Sequence, residues 1–255
     1  MRVYLAKTAA DLGQAAAEET ASRLQGAITE RGEARLVVST GASQFELLDA
    51  LVALPVDWSR VTMFHLDEYL GMDAHHLASF RKYLQERILD RVPMGQAVLI
   101  AGDYPRIPEE LDRVTALIRE RPIDVSLIGI GENGHVAFND PPADFAAREA
   151  YRVVTLDDRC KQQQVGEGWF PDIASVPDQA ISMTVHQILQ TQAIISAVPG
   201  KRKAQAVRQT LESPETPDIP ATVLKRHPDW SLYIDQDSGS ELNPARFAEY
   251  RLELL

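Results

Sequence analysis

Short apolar runs alternate along the chain with longer stretches in which apolar residues recur at helical spacing. Val3–Ala6, Leu36–Ser39, Val61–Leu66, Asp124–Ile130, Ala193–Val198 and Ser231–Ile234 read as strands. Between them, Leu12, Ala15, Ala16, Leu24 and Ile28 mark a helix from Asp11 to about Arg31. Ser43–Leu54, Leu77–Leu89, Glu109–Arg119 and Lys201–Leu211 carry further helical patterns. Strands alternating with helices imply βαβ units and a mainly parallel sheet. The unbroken apolar run Val125–Ile130 fits a strand covered on both faces. The expected class is therefore α/β, a mainly parallel sheet with helices on both faces.

Two regions, Asn139–Arg152 and Gln164–Asp178, show neither period and read as long functional loops or lids. The tail Ser238–Leu255 is expected to fray or to form a short helix from Pro244. The 255 residues suit a single α/β domain over 1–255.

Composition narrows the classes. Hydrophobic residues make up 45% and charged residues 25%, the balance of a folded globular protein. The N-terminal apolar run is too short and polar for a signal segment, and no run of about 18 apolar residues occurs. A cytoplasmic protein without a membrane partner is expected. Cys160 is the single cysteine, so the fold does not depend on a disulfide; a partly buried thiol without a role is expected there. The net charge of −11 disfavours nucleic acid and anionic lipid as partners, and any anionic substrate needs a local positive field.

Candidate chemistry sits where strands run into loops, the place at which open α/β sheets bind ligands. Thr40, Gly41, Ala42 and Ser43 follow the second strand and open a helix, so backbone N–H groups and hydroxyls there suit an anion; Ser43 is a candidate cap. Asp67 and Glu68 follow the third strand. Adjacent His75 and His76 are not expected to share a metal. The run Gly129-Ile-Gly131-Glu-Asn133-Gly134-His135 places three glycines and a histidine after a buried strand, with Asp140 five residues on. Histidine moves protons near neutral pH, and a carboxylate can fix its tautomer; the glycines permit close backbone approach. Lys201, Arg202 and Lys203 open a helix, where cations oppose the helix dipole unless an anion binds.

Taken in order, these segments resemble the glucosamine-6-phosphate deaminase and 6-phosphogluconolactonase superfamily from about Val3 to Asp235. The loop Thr40–Ser43, Asp67-Glu68-Tyr69 and Gly134-His135-Val-Ala-Phe-Asn139 favour the deaminase branch. The resemblance implies a modified Rossmann-type fold, no metal or cofactor, a sugar-phosphate substrate, and conversion of glucosamine 6-phosphate and water to fructose 6-phosphate and ammonia. It leaves a homo-oligomer open. It implies that Asp67 moves the proton between C2 and C1, that His135 opens the ring with Asp140 as partner, and that Lys203 and Thr40–Ser43 hold phosphate. Three departures stand out: Asn133 where deaminases often carry aspartate, Gln164 where an arginine helps bind phosphate, and Asp140 where the histidine's partner is usually glutamate. Little of the basic cluster that binds an activator in some deaminases is visible across Ala143–Val153.

The residues also admit two other readings. In a lactonase, His135 would activate water and Asp67 would have no carbon acid to deprotonate. A non-catalytic sugar-phosphate sensor would normally carry a DNA-binding domain, for which the sheet starting at Val3 leaves no room. The stereochemistry of the amino sugar is not fixed by these residues.

Overall fold

The computed structural model describes residues 1–255. In chain order its first elements are β1 (Arg2–Ala6), α1 (Ala9–Arg31), β2 (Ala34–Val38), α2 (Phe45–Leu51), β3 (Val61–His65), β4 (Asp67–Tyr69), α3 (Phe80–Leu84), β5 (Gln96–Val98), α4 (Ile107–Arg119) and β6 (Val125–Leu127). There follow β7 (Tyr151–Thr155), α5 (Asp158–Gly166), β8 (Gln179–Met183), α6 (Val185–Ile188), β9 (Ala193–Val198), α7 (Ala204–Glu212), β10 (Trp230–Asp235), α8 (Phe247–Tyr250) and β11 (Leu252–Leu254).

Eight strands form one sheet in the order β11-β1-β10-β9-β6-β2-β3-β5, with every neighbouring pair parallel. Side chains alternate across it, as the strand period of two demands. Leu36 and Val38 join a core with Leu12, Leu24 and Leu48 under α1 and α2. Val37, between them, faces the opposite core with Val114 of α4 and Val207 of α7. Every residue of β2, β9 and β10 is buried, which is why apolar residues dominate both faces of these strands. A second sheet, β4-β8-β7, is antiparallel and sits over the carboxyl end of the first. The expected α/β class holds, with this small sheet added.

Local chemistry explains most boundaries. Thr8 caps α1 by accepting from Asp11 N at 3.1 Å, and Gly32 ends it at φ 81°. The helix therefore starts two residues before Asp11. Two helices begin as tight 3₁₀ turns, Ala42–Gln44 before α2 and Lys201–Lys203 before α7. The helix expected from Leu77 starts only at Phe80, because the Glu68 carboxylate accepts from Phe80 N at 3.3 Å and Arg81 N at 3.1 Å. A distant carboxylate thus caps α3, which continues as a π-helical turn over Gln85–Leu89.

The region Gln164–Asp178 is only in part irregular, since Gln164 still lies in α5. That helix escapes a periodicity search because its sequence DRCKQQQVG buries Cys160, Lys161 and Gln164 rather than an apolar stripe. The tail forms the short helix expected from Pro244 and adds a strand that was not expected. A 3₁₀ turn at Pro244–Arg246 leads into α8, and β11 then adds a parallel edge strand beside β1. No helix is long and apolar enough to cross a membrane.

Candidate active site

The loops that leave β2, β3, β6 and β9 emerge side by side, because β9-β6-β2-β3 are neighbours and all parallel. They enclose a cavity of about 60 Å³ lined by Thr40, Gly41, Ser43, Asp67, His135 and Lys203, among others. Residues separated by more than 160 positions in sequence are thereby brought to one point.

Asp67 begins β4 directly beyond β3, and its backbone pairs with Ser182 of β8. Its carboxyl is 6% exposed. Burial, and secondarily the neighbouring Glu68, hold its pKa well above the usual carboxylate range. Glu68 is fully buried and spoken for: Ser79 Oγ donates to it at 2.8 Å and Tyr69 N at 3.0 Å, in addition to the α3 cap. The adjacent pair is thus divided in role. Glu68 fixes the chain, and Asp67 faces the cavity as a poorly solvated carboxylate, the state of a strong base.

His135 Nδ1 lies 3.1 Å from Asp140 Oδ1. Asp140 does not line the cavity but stands behind the histidine, where Asp157 N donates to its other oxygen at 3.1 Å. Burial pushes the Asp140 carboxyl up, yet its bonds to His135, Asp157 and Asn133 outweigh this and leave it below its ordinary value. It is therefore held ionised beside the imidazole.

Gly41 takes φ 107° at the start of the Thr40–Ser43 turn, and its carbonyl accepts from Tyr83 Oη at 2.9 Å. No side chain caps this turn, so Ser43 is not the expected cap. Its hydroxyl instead accepts from Gln44 Nε2 at 3.0 Å, and that amide also donates to Ala197 O at 3.2 Å, which ties the loop to β9. Ala42 faces a separate neighbouring cleft rather than the cavity. Of the three basic residues, only Lys203 is buried and lines the cavity. Burial lowers its pKa, opposed by Glu167 and Glu132. Lys201 reaches Ser240 Oγ at 2.6 Å, and Arg202 turns to Gly166 O at 3.4 Å.

Comparison with known proteins bears on this arrangement. The model of the family described as glucosamine-6-phosphate isomerases/6-phosphogluconolactonase matches residues 7–232. The chain belongs to this family. A glucosamine-6-phosphate deaminase of Exiguobacterium sibiricum is 34% identical over 81% of this chain and 80% of its own length. One from Lactobacillus delbrueckii subsp. bulgaricus is 31% identical over 95% of this chain and 100% of its own. A solved monomeric glucosamine-6-phosphate deaminase superposes with a TM-score of 0.87 at 31% identity, covering 94% of this chain and 99% of that one.

Within this glucosamine-6-phosphate isomerase/6-phosphogluconolactonase fold, the departures noted in the sequence acquire reasons. Asn133 lies outside the cavity and is a brace. Its Oδ1 accepts from His135 N at 3.0 Å, while its Nδ2 donates to Asp140 Oδ1 at 3.1 Å and reaches Asp157 Oδ2 at 3.4 Å. With two carboxylates on one side, an amide donor fits where another carboxylate would be repelled. Gln164 does line the cavity, but its Oε1 accepts from Tyr69 Oη at 2.9 Å, so it supplies no positive charge. Gly131 lines the cavity and also lies against the histidine. A Cβ placed on it would lie 2.3 Å from two atoms of the His135 ring.

Several site residues carried no signal in the sequence. Gln163 and Glu167 enter from α5 and its C-terminal end. Cys160 is fully buried behind the site, not partly buried: its sulfur and one ligand atom each of His135 and Asp140 lie within 4.8 Å of one another. Burial and the surrounding carboxylates push the thiol well above its ordinary value, so it stays protonated. That protonation, and the bonds Asp140 already accepts, make the trio a poor metal site as it stands. His75 and His76 do not converge; His76 stacks on Phe170 at 5.9 Å between ring centroids.

Proposed function

We propose that this protein is a glucosamine-6-phosphate deaminase, converting glucosamine 6-phosphate and water to fructose 6-phosphate and ammonia. The observation that carries this reading is Asp67: a buried carboxylate of raised proton affinity that faces the same cavity as His135 and the Thr40–Ser43 loop. A carbon base of this kind is required to move a proton from C2 and is superfluous for ester hydrolysis.

The steps follow from position. The phosphate is held by the Thr40–Ser43 turn and Lys203. His135, oriented by Asp140, passes a proton between the anomeric hydroxyl and the ring oxygen, which opens the sugar. Asp67 removes the C2 proton from the open chain and leaves an enolamine. Reprotonation at C1 gives the imine at C2; water adds there and ammonia departs. The net reaction is hydrolytic, although its central step is an aldose–ketose isomerisation. General acid–base groups of this kind contribute about 10²–10⁴-fold each. We read residues 1–255 as one catalytic unit acting on a small, soluble sugar phosphate in the cytoplasm.

The test is a panel of hexosamine 6-phosphates and 6-phosphogluconolactone, with ammonia and ketose phosphate measured together. Equimolar ammonia and fructose 6-phosphate are expected. Lactone hydrolysis without ammonia release would reassign the chain to the other branch of its family.

A further inference from the structure

The loop assigned to phosphate already faces an anion. Glu167 closes the C-terminal end of α5 and lines the central cavity together with Lys203, Thr40 and Gly41. Its Oε2 is near enough to the loop that a Cβ on Gly41 would lie 3.7 Å from it. Two donors hold the carboxylate in this pose. Gln163 Nε2 donates to Oε1 at 2.7 Å, and Trp169 Nε1 donates to Oε2 at 3.1 Å. Glu167 also borders the cleft on the far side, about 300 Å³, lined by Lys201 and Arg202. It therefore forms part of the wall between a cationic outer cleft and the catalytic cavity.

Size points the same way. Sites for small ligands usually offer about 300–1,000 Å³, whereas the cavity around Asp67 and His135 has about 60 Å³. The cavity as it stands is narrow for a hexose phosphate, and withdrawal of Glu167 from its wall would widen it. Glu167 is followed by Gly168 at φ 84°, a conformation natural to glycine and a suitable pivot. Gln164, without charge, adds nothing to hold a phosphate against a resident carboxylate.

We infer that Glu167 is a stand-in anion: in the free protein its carboxylate takes the place beside the Thr40–Ser43 turn and Lys203, and the substrate's phosphate binds by displacing it. This rests on the phosphate loop of the proposed function and adds the residue that sets the affinity of that loop. The stand-in's charge shares the cavity with the buried Lys203 and favours its protonated form while the site is empty. It also makes a phosphate dianion, which outcompetes a single carboxylate, the ligand that opens the site. Apparent affinity is reduced by the fraction of molecules in which Glu167 is withdrawn; if that fraction is about one tenth, removing the charge tightens binding about tenfold.

The test uses the full chain and inorganic phosphate, followed by calorimetry and tryptophan fluorescence, so that it does not depend on turnover. Glu167→Gln keeps a side chain of the same size without the charge, and Trp169→Phe releases one of the two holds. Both are expected to bind phosphate more tightly than wild type, Glu167→Gln by severalfold or more, and KM for glucosamine 6-phosphate is expected to fall in parallel. Phosphate is expected to change the fluorescence of wild type, with that change lost in Trp169→Phe. Unchanged or weaker phosphate binding by Glu167→Gln overturns the inference alone. A raised KM in Glu167→Gln does so as well, because the carboxylate then reads the sugar. If neither protein binds phosphate, the loop assignment falls with it; a wild type that binds phosphate but releases no ammonia removes the proposed reaction and leaves the inference standing.

Discussion

The His135 ring lies against Gly131, so close that any side chain at Gly131 would overlap it. The two residues belong to one turn, in which Gly131 N donates to His135 O at 2.9 Å. The backbone folds over the imidazole and limits its direction, while Asp140 Oδ1 stands 3.1 Å from its Nδ1. Gly131→Ala is expected to displace the ring. A shift of about 1 Å in a catalytic group can cost about 10²-fold in rate, so kcat should fall on that order with phosphate affinity little changed. A full-rate alanine variant would show that the ring's placement is not limiting.

Asp67→Asn should abolish C2–C1 proton transfer and lower kcat by about 10²–10⁴-fold, as read by loss of deuterium wash-in at C1 of the product. A second readout follows from its raised pKa. The unfolded aspartate titrates near ~3.9, and the folded one well above this, so between the two values the native state binds more protons. Stability must then fall as pH rises through that window. Wild type should lose melting temperature there relative to Asp67→Asn, and the gap should close towards low pH. Parallel melting curves at all pH values would contradict the assignment of a buried, proton-hungry carboxyl.

Asp140→Asn should slow the closed-ring substrate much more than an acyclic analogue, because only the former needs ring opening. Asp140 has a depressed pKa, through burial outweighed by its bonds to His135, Asp157 and Asn133. Its contribution to stability is present above ~3.9 and is lost as pH falls through the lower folded value. The variant should therefore lack that part of the acid destabilisation. Equal slowing of both substrates would make the pair a structural clasp rather than a proton path.

Lys203→Ala should raise KM for phosphorylated sugars far more than it lowers kcat, since the contact is shared by ground and transition states. The lysine is only 6% exposed. Salt screens buried charges much less than exposed ones, so the effect should persist at high ionic strength. A rise in KM that disappears with salt would place the phosphate at the exposed Lys201 and Arg202 instead.

Asn133→Asp would set a third carboxylate beside Asp140 and Asp157. The bond from Nδ2 to Asp140 would be lost and replaced by repulsion. A fall in kcat and in thermal stability is expected, with partial recovery at mildly acidic pH. Unaltered activity and melting would mean that the brace is dispensable.

The parallel sheet and the places where chemistry could occur are legible in local sequence pattern. Val37 and its neighbours, Ile194–Val198 and Ser231–Ile234 are mostly apolar because both sheet faces are covered, and that signal is local. So is the clustering of glycine, histidine and carboxylate in Gly129–Asp140. Family resemblance at those loops carried the candidate chemistry further. Which groups remain free depends on contacts made across the fold. Nothing local distinguishes Asp67 from Glu68; they part company because Ser79, Phe80 and Arg81 return in space to bond Glu68. Nothing local places Cys160 behind His135, or Glu167 against Gly41, because α5 is polar along its length and its position depends on packing against the cavity rather than on an apolar period. Proton affinity, and access to the phosphate loop, arise from burial and from partners distant in the chain, and these exist only once the sheet has gathered its loops.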